Sequence, residues 1–542
     1  MKLLSVAEMR NIDVQTDAVG GVSFAELMEN AGRGIAEIIL DAPLEGADPT
    51  ALALVGPGNN GGDALVALDN LAAEGWGVTA YLFKRKADDD PLVARVQAAG
   101  GEIVSAAEDA DFAKLSALIE AHAVLIDGLL GTGIKLPLRE NAANLLAAAG
   151  ETLVDLAWRP YIVAVDCPSG VDSDTGEAAP ESLPADVTAT MAAVKEGLLK
   201  LPAFALCGEI AVVDIGVTDK VPDWVAINNF VINETQVAAL LPERPLSAHK
   251  GTFGTALVTA GSVNFTGAAL LAGRAAYRIG AGLVTLAVPA PLHPVLAGEF
   301  PEATWELLPH EMGVIAADAA QVLLANLGRA TALLLGPGFG MEATTRDFLS
   351  RLLTQPQVAQ KGGIGFFHRE AMPESARTPQ LPPLVIDADG LKLLAQIEKW
   401  YEKISETAVL TPHPGEMVVL SGLSLAEIQS NRREVAREYA QKWGHVLVLK
   451  GAFTVIAAPS GETYTLPVAS PTLARAGSGD VLAGLIVGLR AQGVDALNAA
   501  IAAVWIHAQA GLTAGEMLGA SASVLAGDIL AFVPQVLADL EF

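Results

Sequence analysis

Ala51-Leu-Ala-Leu-Val55 runs without a polar residue into Gly56-Pro-Gly-Asn-Asn-Gly-Gly-Asp63, and the apolar periodicity of a helix takes over from about Ala64. A short continuous apolar run that closes on glycines and reopens as a helix reads as one strand of a parallel sheet covered on both faces. The same pattern recurs at Tyr81-Leu-Phe83, Val124-Leu-Ile126 and Tyr161-Ile-Val-Ala-Val165, with Ile210-Ala-Val-Val213 as a last strand. It halts at the polar stretch 218–223 and again at Leu241-Pro-Glu-Arg-Pro245, as punctuation between domains does. Then it restarts: Thr255-Ala-Leu-Val258, 283–288, Leu333-Leu-Leu335, Leu384-Val-Ile386, Val409-Leu410 and Val446-Leu-Val-Leu449 read as strands, and 267–278, 481–489 and 499–514 as helices. The predicted architecture is α/β with two domains, residues 1–222 and 223–542, each with its own sheet. Residues 361–383, which contain Gly-Gly-Ile-Gly and several prolines, break the alternation and read as a surface excursion.

Composition narrows the function classes. The chain has 542 residues, too many for one hydrophobic core, with 51% hydrophobic and 18% charged residues. Its 34 basic and 62 acidic residues give a net charge of -28, a field that repels nucleic-acid backbones and anionic lipid. Cys167 and Cys207 are the two cysteines, too few for a disulfide scaffold and not a CxxC pair. The apolar run in Met1-Lys-Leu-Leu-Ser-Val6 is shorter than a signal peptide requires, and no apolar stretch reaches bilayer length. The expectation is a cytoplasmic protein with no nucleic-acid or membrane partner, whose apolar-rich composition fits a homo-oligomer.

Three strand ends in the first half carry polar, glycine-rich loops: Gly56 to Asp63, Asp127-Gly-Leu-Leu-Gly-Thr-Gly133 and Asp166-Cys-Pro-Ser-Gly170. Ligands in open α/β sheets sit beyond the carboxyl ends of strands, so these loops are expected to converge. The first matches neither GxGxxG nor a Walker loop. A tight turn alone would not need Asn59, Asn60 and Asp63, which favours a ligand; a lone strand-end Asp is more often a cap. No histidine can be assigned beside Cys167, so a small buried residue is the expected reading rather than a nucleophile.

In the second half, Ala476-Gly-Ser-Gly-Asp480 precedes an apolar helix, whose first N–H groups would face a developing negative charge. An acid at that place fits a base that takes the proton of a hydroxyl attacking a phosphoryl group. The bland alternative is a helix cap, which Ser478 alone could supply. Gly336-Pro-Gly-Phe-Gly340, Thr411-Pro-His-Pro-Gly-Glu416 and Lys450-Gly-Ala-Phe-Thr454 follow strands in the same way. His413 between two prolines is held extended, and Glu416 could belong to the next helix's first turn; Asp387 and Asp389 are either caps or ligand groups.

Residues 1–220, with GNNGGD, DxxxGTG and VDxPSG in order and Ala193-Val-Lys195-Glu-Gly197 and Val213-Asp-Ile-Gly216 after them, resemble the NAD(P)H-hydrate epimerases. Ala64 and Cys167 depart from that family's usual Gly and Ile. The resemblance implies a Rossmann-like three-layer sandwich. It places the hydrated nicotinamide dinucleotide (NADHX or NADPHX) at Asn59, Asn60, Gly61, Gly62, Asp63, Gly131, Thr132, Gly133, Ile134, Lys135, Leu136 and Pro137, and at Asp166, which is given the proton-transfer role. It assigns potassium to Asn60, Asp127 and Ser169. Residues 246–540, with KGTFG, GPGFG, DADG, TPHPGE, KGAFT and AGSGD in order, resemble the ribokinase-like NAD(P)H-hydrate dehydratases. That resemblance puts Ala268, Gly338, His413 and Asp480 at the hydrate, with Asp480 catalytic. Lys450, Gly451, Ala452, Phe453, Thr454 and Gly479 fall at the adenine nucleotide, with ADP as co-substrate and Mg²⁺ at its phosphates. Together the two resemblances imply a cofactor-repair enzyme that epimerises hydrated NAD(P)H and dehydrates the S form. The rival readings are a small-molecule kinase of the ribokinase-like class with an accessory nucleotide-binding domain, and a nucleotide sensor that binds without turnover.

Overall fold

The computed structural model describes residues 1–44, 46–354 and 381–541; the excursion at 361–380 lies outside them. The chain forms two compact units that meet in sequence between Asn229 and Phe230. That border is seven residues beyond the expected one: the polar stretch 218–223 runs into a short helix, Pro222–Ala226, with Pro at its first turn.

The first unit holds a seven-stranded parallel sheet in the order Glu102–Ser105, Gly77–Leu82, Thr50–Val55, Val124–Gly128, Tyr161–Val165, Val187–Met191, Glu209–Val213. Side chains alternate across a strand, and Thr50–Val55 shows the consequence. Ala51, Ala53 and Val55 enter the core under the helices Phe24–Leu40 and Asn59–Ala73, while Leu52 and Leu54 enter the core under Ala113–Ala121 and Glu140–Asp155. Both faces are dry, so the strand has no polar side. From Thr50–Val55 the chain steps first to one side of the sheet and later to the other, which opens a crevice at its carboxyl end. A separate parallel pair, Leu3–Leu4 with Val194–Lys195, ties the amino-terminal helix Val6–Gln15 to this unit.

The second unit has a ten-stranded sheet. Thr255–Thr259, Leu283–Pro289 and Thr304–Leu308 run to one side, and Ala332–Leu335, Leu384–Ile386, Val409–Leu410 and Val446–Leu449 to the other. These seven are parallel. Val455–Ala457 and Thr463–Thr465 then add antiparallel, with Asn229–Val231 at the edge. The hairpin leaves no mark in the sequence pattern, because three-residue strands give too short a run for periodicity to register. Alternation repeats, with Val446 and Val448 in one core and Leu447 and Leu449 in the other. The switch in direction lies between Thr255–Thr259 and Ala332–Leu335, where the Gly261 N–H donates to the Pro337 carbonyl at 2.8 Å.

Candidate active sites

The crevice of the first unit is a cavity of about 800 Å³, lined by the three predicted loops and by the amino-terminal helix. Asn59–Ala73 begins five residues before the predicted helix start, so Asn59, Asn60, Gly61, Gly62 and Asp63 form its first turns rather than a loop. The close turn needs Gly56, since a Cβ there would lie 1.9 Å from the Leu129 carbonyl oxygen. Asn59, Asn60, Gly61, Asp63, Gly131, Thr132, Gly133, Ile134, Lys135 and Asp166 all line the cavity. Leu136, Pro137 and Gly62 are not among its lining; Gly62 is buried against Met28.

Beneath this floor the strand ends lock together. Ser169 donates from its hydroxyl to Asp127 Oδ1 at 2.5 Å and from its backbone N–H to Asp127 Oδ2 at 2.8 Å. The Leu130 N–H donates to Ser169 Oγ at 2.8 Å, and the Asn60 amide reaches the Val165 carbonyl at 2.5 Å. Asp127 is 1% exposed, and burial raises its pKa in spite of the hydrogen bonds from Ser169 and Leu129. Cys167 is likewise buried, its thiol pushed up by desolvation, which rules out a ready thiolate nucleophile.

Asp166 stands at the end of Tyr161–Val165 with φ 64°, a left-handed conformation that is strained for a residue with a Cβ. Its Oδ1 accepts from Thr190 Oγ1 and the Met191 N–H, both at 3.1 Å, and from the ammonium of Lys195. Lys195 is 1% exposed and also donates to the Met191 carbonyl at 2.9 Å. Two further carboxyls face this pair. Asp63 is pushed up to about 8, by burial first and then by Asp166. Asp13 is pushed up to about 6, again by burial first, with Lys195 pulling it down. The sequence alone does not reveal the roles of Lys195, Thr190 and Asp13. Lys195 reads there only as part of a motif, and Asp13 only as a charge that follows an apolar run.

In the second unit the helix Ser478–Ala491 is capped by Gly477 backbone at φ 88°, with no side-chain cap. Ser478, the predicted alternative cap, instead donates to the carbonyls of Leu473 and Arg475, both at 2.9 Å. Asp480 in the first turn is pushed up to about 7 by burial and then by Asp387, with Lys450 opposing. No hydrogen bond or ion pair to its carboxylate is present among the described residues. Lys450 instead reaches Asp387 Oδ1 at 2.7 Å and Glu416 Oε2 at 3.9 Å. Burial alone would lower its pKa, yet Asp387 and Glu416 together raise it. Gly479 lies against this pair, its Cβ position 3.3 Å from Lys450 Nζ.

The two acids of the DADG segment now separate. Asp387 holds Lys450 and the Thr411 hydroxyl, whereas Asp389 accepts from the Gly340 N–H at 3.0 Å and pairs with Lys392. His413 is the N-cap of Pro414–Ser421: its Nδ1 accepts from Gly415 and Glu416 N–H groups, and the Glu416 carboxylate accepts from its backbone. The ring is half exposed, and its outer nitrogen Nε2 lies 3.3 Å from Glu416 Oε1. Gly338, at φ 64°, brings the GPGFG loop against Ala268, where a Cβ would meet that of Ala268 at 2.9 Å. The Lys450-to-Thr454 turn is closed by Thr454 Oγ1 donating to the Gly451 carbonyl at 2.9 Å, with Gly451 and Phe453 both at positive φ. Ala452 lies between them at the exposed tip.

Comparison with known proteins agrees with this division. Residues 24–197 match the YjeF-related protein N-terminus family, and residues 256–535 match the NAD(P)H-hydrate dehydratase family. Bifunctional NAD(P)H-hydrate repair enzymes of Moorella thermoacetica and Salinibacter ruber are 36% and 38% identical to the chain. The first alignment spans 100% of this chain and 97% of the relative, the second 99% and 96%. Among solved structures, the ADP/ATP-dependent NAD(P)H-hydrate dehydratase of Bacillus subtilis is 30% identical with a TM-score of 0.47, covering 58% of this chain and 99% of that one. Both family models in order and the full-length relatives lead to one statement: the chain belongs to the bifunctional NAD(P)H-hydrate repair enzymes.

Proposed function

We propose that residues 1–229 interconvert the R and S epimers of hydrated NADH and NADPH, and that residues 230–542 dehydrate the S epimer with ADP, giving AMP and phosphate. The carrying observation is that each unit holds an acid–base group suited to its half of the reaction: Asp166 held by Lys195 on the cavity of the first, and Asp480, raised to about 7, near Lys450 in the second. A base works best when its pKa lies near the operating pH.

In the dehydratase half, Asp480 takes the proton of the ring hydroxyl as its oxygen attacks the terminal phosphoryl group. The backbone N–H groups at the start of Ser478–Ala491 face the charge that develops. Lys450, fixed by Asp387 and Glu416, holds the nucleotide beside Gly479. Phosphate is then a better leaving group than hydroxide, and its departure with loss of a neighbouring ring proton restores the reduced cofactor. Among the described residues no group of three acidic, histidine or cysteine side chains builds a metal cage. Magnesium would therefore enter with the nucleotide's phosphates, whose charge it neutralises.

In the epimerase half, Asp127 is a buried carboxylate whose partners are Ser169 and backbone N–H groups, with the Leu130 and Val165 carbonyls turned toward Asn60. A monovalent cation suits such an oxygen-rich, uncompensated place, so Asn60, Asp127 and Ser169 would hold potassium. When bound it supplies a fixed positive charge that neutralises Asp127 and braces the three loops. The cavity's Arg10, Lys84, Lys135 and Arg139 give a strongly acidic chain a local cationic wall for the dinucleotide's phosphates.

The test is recovery of reduced-nicotinamide absorbance from mixed-epimer NADH hydrate with Mg²⁺, K⁺ and either ADP or ATP. Complete recovery with ADP, faster than the epimers exchange unaided, supports both halves. Recovery that stops at the S fraction removes the epimerase assignment, and a stable phosphorylated product would mark a kinase instead.

A further inference from the structure

We propose that Asp13, carried by the amino-terminal helix, is a catalytic acid of the epimerase site: it gives the proton that lets the ring hydroxyl depart, opposite Asp166 as the base. The inference rests on the epimerase reading above and adds to it a residue from outside the three strand-end loops.

Its placement follows from local structure. Leu4 pairs in parallel register with Lys195, the lysine that binds Asp166. Ser5 and Glu8 then form a capping box that starts Val6–Gln15 at a fixed angle. On that helix Met9 and Asp13, four residues apart, share a face, and both line the cavity together with Asp63, Asp166 and Lys195. The residue therefore reaches the site from a different element than Asp166 does.

A structural role leaves one observation unexplained. Asp13 Oδ1 is buried and has no hydrogen-bond partner. A buried polar atom left unpaired is costly, and native proteins keep few of them. Lys195, the cation that would relieve it, is occupied by Asp166, Thr190 and the Met191 carbonyl. The charged groups facing Asp13 are Lys195 and Asp166, with Asp63 on the neighbouring helix, itself near Arg85, and Arg10 on its own helix at the cavity wall. Three carboxyls around one ammonium, out of water, retain a proton more readily than three isolated ones. Asp166 is the member already supplied with donors, by Lys195, Thr190 and the Met191 N–H. The proton then belongs to the unpaired members, of which Asp13 sits on the separate element; its raised pKa agrees.

The step balances without a redox partner. The carbon that carries the hydroxyl adjoins the ring nitrogen. Asp13 protonates the hydroxyl oxygen, the carbon–oxygen bond breaks with its electron pair leaving as water, and the nitrogen lone pair forms the carbon–nitrogen double bond. Water adds to the opposite face and loses its proton to Asp166. Transfer of that proton back to Asp13 through solvent resets the site.

The experiment is the pH profile of epimerisation for wild type, Asp13→Asn and Asp13→Glu, followed from pure R hydrate by chiral separation, with thermal melting to verify folding. Wild type should lose kcat on the alkaline side as the acid deprotonates. Asp13→Asn should lower kcat at least 100-fold with KM within threefold and abolish that limb; Asp13→Glu should restore part of both. Dehydration of pure S hydrate should stay unchanged in both variants. A wild-type profile without an alkaline limb overturns the inference, as does an Asp13→Asn protein that keeps the limb or loses less than threefold in kcat. Wild type that fails to interconvert the epimers at all removes the epimerase reading itself, and this inference with it.

Discussion

In the first unit Lys195 binds Asp166 at the end of Tyr161–Val165, and among the described residues Asp13 and Asp63 form no ion pair. In the second, Lys450 binds Asp387 and Glu416 and leaves the helix-start acid, Asp480, unpaired. Both lysines stand at the carboxyl end of a parallel sheet, among carboxylates that outnumber them. The difference is in which acid the lysine pairs with. The proposed epimerisation needs an acid and a base together, and there one carboxylate is paired with the lysine beside two whose pKa values are raised by burial. The proposed phosphoryl transfer to a hydroxyl needs a base alone, and there the lysine pairs with neighbouring acids instead of Asp480.

Removing the unpaired acid should have the largest effect. Asp480→Asn should lower dehydration of S hydrate by about 10²–10⁴-fold, the usual worth of a positioned general base. Epimerisation should remain intact. A loss below tenfold in steady-state dehydration would return Asp480 to a helix-start role.

Lys195→Met tests the opposite arrangement. Lys195 and Asp166 are both buried, so removing one partner leaves an uncompensated charge and should destabilise the first unit by about 3–5 kcal/mol. Lys195→Met with Asp166→Asn removes the charge as well and should recover much of that stability in denaturant melts, though not the activity. If the single variant melts like wild type, the pair contributes nothing to the fold.

Much of this is readable from the chain. Continuous apolar strands closing on glycines give both sheets, because a strand buried on two faces has no polar positions to confuse the pattern. Asn60, Asp127 and Ser169 are legible for a related reason: polar residues at the carboxyl end of such a strand stand out against the apolar run before them, and here Asn60 lines the cavity while Asp127 and Ser169 lock together beneath it. Lys195 is not, since the sequence gives it only as part of a motif until Asp166 is placed beside it. Asp13 is hidden by the two-residue pairing of Leu3–Leu4, too short to register as a strand. His413 is legible as rigid but not as the N-cap it is, because capping boxes are known by Ser or Thr rather than His.

A smaller effect is expected at Gly338, which sits at φ 64° with a Cβ position 2.8 Å from Phe265 and 2.9 Å from Ala268. Gly338→Ala should cost about 1–3 kcal/mol through backbone strain and crowding. On the proposed placement of the hydrate at Ala268 and Gly338, KM for the S hydrate should rise more than KM for ADP. Equal changes in both would place the hydrate elsewhere.

The finest test of the comparison is Asp387→Asn, because it changes which carboxylate the lysine serves without removing either reactive group. A base must be ionised to act, so dehydration by wild type should fall as pH drops through the Asp480 value near 7. Asp387 is the charge that contributes most to that elevation after burial, and it also occupies Lys450. Neutralising it removes a repulsion and frees the ammonium, and both changes favour ionised Asp480. The acid limb of kcat/KM should therefore move to lower pH, by about one unit, equivalent to about 1.4 kcal/mol of interaction. The substituted amide keeps an oxygen to accept from the Thr411 hydroxyl, so the strand end should hold its shape. KM for ADP should rise, since Lys450 loses its strongest anchor. The epimerisation profile should not move, because its acid and base lie in the other unit. A limb that stays in place would mean that it belongs to another group and that Lys450 does not govern Asp480, which would leave the two lysines with no contrast to explain.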